Sequence, residues 1–238
     1  GRVQSVTLKI IVDREKERDA FQPIDHWQIT ANFKTDDSKF IEATLVQYDK
    51  TKIITTPKKT SDVLLPTQAD ADRMVSQIKS QTYAISNINK KQTKRKPVPP
   101  FTTSTLQQEA SRHFGFSSKQ TMRVAQSLYE GIQLNNQHEG LVTYIRTDST
   151  RISSDAMTPT RDYIKQNYNG EKYISEKPIY YSPKKSAQDA HECIRPSTMR
   201  YPPKSVSKYL NAEQNKLYEL IWNRFLASQM KPAVYDSC

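Results

Sequence analysis

The stretch Lys90-Lys91-Gln92-Thr93-Lys94-Arg95-Lys96-Pro97-Val98-Pro99-Pro100 divides this chain more sharply than any other feature. Proline lacks a backbone N–H and fixes φ, so a cluster of prolines ends helix and strand alike. A domain boundary is expected here. The charge run before it reads as a solvated linker, with phosphate contact as the minority alternative. Upstream, Val3, Val6, Ile10 and Val12 set against Arg14, Glu15, Glu17 and Arg18 favour a helix over Arg2 to Ala20. Trp27, Ile29, Ala31 and Phe33 alternate with polar residues at the period of a half-buried strand, and a second strand is expected from Phe40 to Tyr48. A helix should begin at Thr67, with Asp70 as its capping-box partner and Met74 and Ile78 on its apolar face. Tyr83 to Asn89 reads as strand.

Downstream the character turns helical. Thr103 or Ser104 should cap a helix carrying Leu106, Ala110 and Phe114 on one face. Gly115-Phe116-Ser117 should turn into a second helix, with Met122, Ala125, Leu128 and Tyr129 on one face, that stops at Gly131. Helix, glycine turn, helix is the outline of a helix-turn-helix, which many plain bundles also contain. A short strand, Leu141 to Ile145, then leads into Arg146-Thr147-Asp148-Ser149-Thr150-Arg151, and Ser153 should cap a helix to about Tyr168. Gln188 to Ile194 reads as helix ended by Pro196, and Asn211 caps a last long helix with Leu217, Leu220, Ile221 and Phe225 at helical spacing.

Composition narrows the function. A length of 238 residues allows one large core or two modest ones. The net charge of +11 suits a polyanion as partner, although basic surfaces also meet membranes and acidic proteins. Cys193 and Cys238 form neither a disulfide framework nor a zinc motif, so the chain reads as intracellular and reduced. No apolar run approaches bilayer length, and no signal-peptide core follows the basic start, which disfavours membrane insertion and secretion. None of the five glycines sits in a Walker-type or dinucleotide-binding pattern, so nucleotide hydrolysis is not expected to power the protein. The start at Gly1 and the unfinished strand before Cys238 read as the ends of an excised piece.

Four stretches taken together resemble type IA DNA topoisomerases: Gly1-Arg2-Val3-Gln4-Ser5, Pro100-Phe101-Thr102-Thr103-Ser104-Thr105-Leu106-Gln107-Gln108, Thr143-Tyr144-Ile145-Arg146-Thr147-Asp148-Ser149, and Ala190-His191-Glu192-Cys193-Ile194-Arg195-Pro196. The tail Trp222 to Met230 is also similar, so the resemblance covers essentially the whole chain. Ser5 after Gln4 and Ile145 after Tyr144 point to the bacterial topoisomerase I branch, since topoisomerase III typically has threonine and proline there. Cys193 and Ser197 depart from the common alanine and threonine without altering a group expected near the reacting phosphate.

The resemblance implies that Tyr144 is the nucleophile, linked in the intermediate to the 5′ end of a broken single strand while a 3′ hydroxyl is held nearby. A phenol ionises near pH 10 and is a weak nucleophile at neutrality unless positive charge favours the phenolate. Arg146, two residues on in an extended segment, would face the same side and suits phosphate oxygens with its planar fork. Thirteen tyrosines occur, and most tyrosines pack or lie on surfaces, so the motif alone singles out Tyr144. Asp148 and Ser149 either touch DNA or form a turn with Thr147 that caps the following helix. By spacing, His191 could be a general acid, a phosphate donor or an ordinary helical histidine; the resemblance favours the phosphate. Arg195 assists it or only pairs with Glu192. Gly1, Arg2, Val3 and Gln4 are implied to line a groove for single-stranded DNA, glycine allowing close approach.

The family's Mg²⁺ site needs an Asp-x-Asp-x-Glu signature, which Asp70-Ala71-Asp72-Arg73-Met74 matches only in its first half, inside a helical pattern. No metal site is therefore expected in this chain; Mg²⁺ would be held by a domain outside it. The expected fold is α+β and multidomain: residues 1–24 as a helical segment of the DNA-holding base, 25–98 as a β-rich hinge or arch, 99–230 as a helical gate domain with a helix-turn-helix-like unit carrying Tyr144, and 231–238 returning to the β-rich domain. The implied enzyme relaxes negatively supercoiled DNA without ATP, as a cytoplasmic, nucleoid-associated bacterial monomer, and this chain alone would bind DNA weakly without relaxing it. Two rivals are a helix-turn-helix DNA-binding module without chemistry and an interaction scaffold with negligible DNA affinity at physiological salt.

Overall fold

The computed structural model describes residues 1–54, 56, 65–135, 137–181 and 191–238. Contacts divide the chain into two units, Gly1–Asn87 and Ile88–Cys238. The first unit opens with helix α1, Arg2–Asp19, none of whose residues is buried. Its charged side chains pair along the helix, Lys9 with Asp13, Arg18 with Glu15 and Arg14 with Glu17. Such pairs one turn apart support helical backbone locally, without a core. Strands β1, Thr30–Lys34, and β2, Phe40–Thr44, form an antiparallel hairpin with Phe33 opposite Ile41. The ladder starts later than the alternation does, because Trp27 N donates instead to Leu65 O.

The single strand expected from Phe40 to Tyr48 is interrupted, and its end becomes β3, Gln47–Tyr48, which turns directly into β4, Thr51–Lys52. Asp49 and Lys50 between them take φ of 42° and 65°, the left-handed pair of a two-residue hairpin turn whose twist matches the strands. Helix α2, Gln68–Lys79, is capped as expected: Asp70 N donates to Thr67 Oγ1, and the Asp70 carboxylate accepts from the Thr67 hydroxyl and from Arg73. Asp70 is thus occupied by its own helix. No strand forms over Tyr83–Asn89. Tyr83 packs on Phe33 with ring centroids 4.8 Å apart and donates its hydroxyl to Ile78 O, so the side chain closes the first unit.

In the second unit, the run expected to be a linker contains strand β5, Lys91–Arg95, exposed at every position. Helix α3, Thr103–Phe114, is capped by Thr102, whose side chain accepts from Thr105 N. Gly115 ends it at φ 69°, the left-handed conformation glycine adopts without a Cβ penalty. Helix α4, Ser118–Glu130, follows under a Ser117 cap and stops at Gly131. Strands β6, Ile132–Leu134, and β7, Gln137–Glu139, make a small hairpin. After α5, Ser154–Asn167, come the short α6, Pro203–Val206, and α7, Ala212–Ala227, with its Asn211–Gln214 capping box. The chain ends with β8, Ala233–Ser237, which pairs antiparallel with β5 so that Lys91 faces Ser237 and Arg95 faces Ala233. That pairing makes the basic run a strand of the second unit: side-chain charge does not prevent a ladder when both faces meet water.

The principal core joins α3, α4 and α7 through Leu106, Ala110, Val124, Ala125, Leu128, Leu217, Ile221 and Trp222. Burial of each large apolar side chain stabilises by about 1.5–3 kcal/mol. Two further expectations are corrected here. Leu141–Ile145 is not a strand: it forms only an isolated bridge, Val142 to Pro196, and bends at Ile145. His191–Ile194 is not helical, while Gln188–Ala190 lies outside the described residues. The cause is non-local: Cys193 N donates to Arg151 O and Ile194 N to Phe101 O, which takes the amides a helix would use. The fold mixes helix and strand, and α3, the Gly115 turn and α4 reproduce the expected helix, turn, helix order.

Candidate active site around Tyr144

Three of the four stretches that carry the resemblance meet in the second unit and hydrogen-bond to one another. Phe101 bridges to Ile194, and Ile194 N donates to Phe101 O at 2.8 Å. Thr143 N donates to Arg195 O at 2.9 Å, its hydroxyl donates to Cys193 O at 2.8 Å, and it accepts from Arg195 N at 3.0 Å. On the other side, Thr103 N donates to Thr147 O at 2.9 Å. The segment bearing Tyr144 is thus held between the N-terminus of α3 and residues 193–195.

Burial alternates along this segment: Ile145, Thr147 and Ser149 are buried, and Tyr144, Arg146 and Asp148 are exposed. The extended period of two survives without a regular ladder, and it presents the phenol and the guanidinium as exposed groups two residues apart. Tyr144 is 42% exposed, so it is not sealed in the core. Two rings flank it: Tyr129 edge-on with centroids 5.7 Å apart, and His191 tilted at 5.5 Å. The fold therefore brings His191 to the tyrosine. Tyr129, placed by spacing on one face of α4 with Met122, Ala125 and Leu128, is 39% exposed and belongs to this cluster. Its helical position gave no signal of that, since a helix face packed on a core and one packed on a site share the same period.

The other candidates fall into different environments. Thr147 and Ser149 form successive turns, with Ser149 N donating to Thr147 Oγ1 and Arg151 N donating to Ser149 Oγ. Neither caps α5, whose N-terminal residue Ser153 makes no side-chain cap bond. Arg195 is engaged internally: Nε donates to Glu192 at 2.9 Å, Nη1 donates to Pro196 O at 2.9 Å, and its side chain is only 12% exposed. Pairing with Glu192 is therefore what its guanidinium does here, while its backbone holds Thr143. Gly1, Arg2, Val3 and Gln4 stand exposed at the start of α1, in the first unit.

Burial disfavours the charged form of other candidate nucleophiles. It pushes the Cys193 thiol and the Tyr181 phenol each up to about 12, and it also raises Tyr218 and Tyr163. Glu109 shows the opposite balance: burial would raise it, but the Arg112 hydrogen bond and the charges of Arg112, Arg224 and His113 hold it below the usual carboxylate range. Arg224 lies 3.6 Å from Glu109 and 4.5 Å from the Phe101 ring centroid, tying α7 to the base of the site. Among the described residues, no three His, Cys, Asp or Glu side chains converge as metal ligands, and no helix is long and apolar enough to cross a membrane.

A family model described as DNA topoisomerase matches residues 1–238. The DNA topoisomerase 1 of Rickettsia felis is 42% identical over 237 residues, which is 99% of this chain and 30% of that protein. The solved structure of full-length topoisomerase I from Thermotoga maritima superposes with a TM-score of 0.73 at 38% identity, over 99% of this chain and 34% of that one. The chain thus spans about a third of the length of the relatives it matches.

Proposed function

Because the chain belongs to the type IA DNA topoisomerase family, we propose that it carries the strand-cleaving tyrosine of a bacterial topoisomerase I that relaxes negatively supercoiled DNA. The observation that supports this most is the exposed Tyr144 ring, flanked by His191 and held where three family-like stretches converge. In the proposed reaction the Tyr144 oxygen attacks a phosphorus of one DNA strand as it gives up its proton. A bond from oxygen to that phosphorus forms, the bond from phosphorus to the 3′ oxygen breaks, and that oxygen takes a proton to leave as a hydroxyl. The 5′ phosphate stays on Tyr144. Religation runs the same exchange backwards, so one phosphoester replaces another and ATP is not needed.

Arg146 is proposed to stabilise the charge that builds on the phosphate oxygens, a task its fork geometry suits better than lysine would. His191, against the Tyr144 ring, would contact the same phosphate. Asp148 and the start of α1, Gly1 to Gln4, are proposed to contact single-stranded DNA, while Ser149 and Arg195 act through the backbone turns they hold. Residues 1–24 would belong to a DNA-holding base, 25–98 and 231–238 to a β-rich hinge, and 99–230 to a gate that moves with the covalently held end. Any Mg²⁺ of the whole enzyme is proposed to be held by a part of it outside this chain. A cytoplasmic monomer is part of the same proposal.

The test is adduct formation with a labelled single-stranded oligonucleotide by the full-length protein. Wild type is expected to form a denaturant-stable adduct through the 5′ phosphate. Tyr144→Phe should abolish it while leaving binding within about 1 kcal/mol, as expected for an exposed substitution. DNA binding with no adduct from either protein would mean a binding module instead.

A further inference from the structure

Thr103 is explained neither by capping nor by packing. Helix α3 already has its cap in Thr102, with Thr105 N donating to the Thr102 hydroxyl and Thr102 N donating to Thr105 Oγ1 in return. The Thr103 hydroxyl instead reaches 42 residues along the chain, donating to Ile145 O at 2.7 Å and accepting from Thr147 N at 2.9 Å. One oxygen therefore bridges the backbone on both sides of Arg146. Threonine suits this because a hydroxyl donates and accepts at once, and its branched Cβ restricts the rotamer.

Resting on the function proposed above, we infer that Thr103 is a positioning residue that sets the direction of the Arg146 side chain. With Ile145 O and Thr147 N fixed to the same atom, the peptide groups flanking Arg146 have little freedom to rotate. Ile145 is fully buried and anchors the bend from inside, while Arg146 is exposed. The Thr103 N–H bond to Thr147 O adds a third tie, independent of the side chain, so loss of the hydroxyl should loosen the segment without releasing it. Thr143 performs the corresponding service on the other side of Tyr144, bonding to Cys193 O and to Arg195 N. The nucleophile and the guanidinium are thereby referred to two separate parts of the fold by two threonine hydroxyls.

The experiment compares Thr103→Val, which keeps the shape and loses both hydroxyl bonds, with Thr103→Ser, which keeps the hydroxyl, in the full-length protein. Single-turnover adduct formation should slow by about 10- to 100-fold in the valine variant, the range expected when a reacting group is misplaced by an ångström or less. The serine variant should stay close to wild type, and the DNA Kd should change little in either. In an Arg146→Ala background, Thr103→Val should add almost no further loss, because Thr103 acts through Arg146. Full additivity with Arg146→Ala, or a valine variant as fast as wild type, would overturn the inference. Amide hydrogen exchange supplies a readout that does not need catalysis: Thr147 N–H should exchange faster in the valine variant and not in the serine variant. Unchanged Thr147 exchange overturns the positioning role. Absence of an adduct from wild type overturns the functional reading instead, and the exchange result still decides the role of Thr103.

Discussion

Cys193 and Cys238 carry the same thiol in opposite surroundings. Cys193 is fully buried beside Ile152, Met157 and Phe225, whereas Cys238 is exposed. With its thiol pushed up to about 12, Cys193 stays protonated at neutral pH and should resist thiol reagents. Titration of the 238-residue chain at pH 8 should show one fast thiol, with the second appearing only on unfolding; two equally fast thiols would contradict the burial. Linkage gives a further consequence. The folded state holds the Cys193 proton above its ordinary value of 9.0, so this contribution to stability is intact below about pH 9 and is lost as pH rises toward about 12. The loss should approach about 1.4 kcal/mol per pH unit. Denaturation midpoints across that window should fall less steeply in Cys193→Ala, with the remaining slope due in part to Tyr181. At this scale the motifs singled out Tyr144 and His191, whose ring centroids the fold brings to 5.5 Å of each other. The roles of Thr103, Tyr129 and Arg195 depended on which distant atoms their side chains reach.

Helix ends in the second unit are set by local chemistry, and their glycines are not equivalent. Both Gly115 and Gly131 take positive φ, 69° and 128°, but a Cβ at Gly115 meets nothing within 4 Å, while one at Gly131 would lie 2.4 Å from the His138 ring. Gly131 also stands where α4 passes directly into β6. Gly131→Ala should therefore destabilise by about 1–3 kcal/mol from backbone strain and the forced shift of His138, and Gly115→Ala by less. Urea unfolding should rank them in that order with unchanged m-values. Helices with such punctuation were readable in advance to within a residue or two: α3, α4 and α7 each have a polar cap and an apolar face. Extended segments were not. Tyr83–Asn89 looked like strand and is not one, while Lys91–Arg95 looked like linker and pairs with β8. A strand needs a partner, and nothing within five residues of sequence says whether one arrives.

Across the whole molecule, apolar burial is unevenly shared. Among the described residues the first unit buries only Ile53, Leu65 and Ala71 of its apolar side chains, whereas the second has a continuous core around α3, α4 and α7. Hydrogen exchange of the 238-residue chain should accordingly show its slowest amides in those three helices and near-free exchange through α1, whose residues are all exposed. Protection in α1 equal to that in α7 would contradict this distribution. The sequence by itself determined where α3, α4 and α7 begin to within a residue, the glycine stops of α3 and α4 and the apolar faces of all three, because each depends on residues within a turn; the caps expected at Thr103 or Ser104 and at Ser153 are corrected, since Thr102 caps α3 and Ser153 makes no side-chain cap bond. Only the tertiary structure decided which extended segments pair, that residues 191–194 are drawn out of helix by Arg151 and Phe101, and that a threonine from α3 grips the backbone on both sides of Arg146. Those outcomes rest on hydrogen bonds between groups tens of residues apart, whose meeting is a property of the packed core and not of any local pattern.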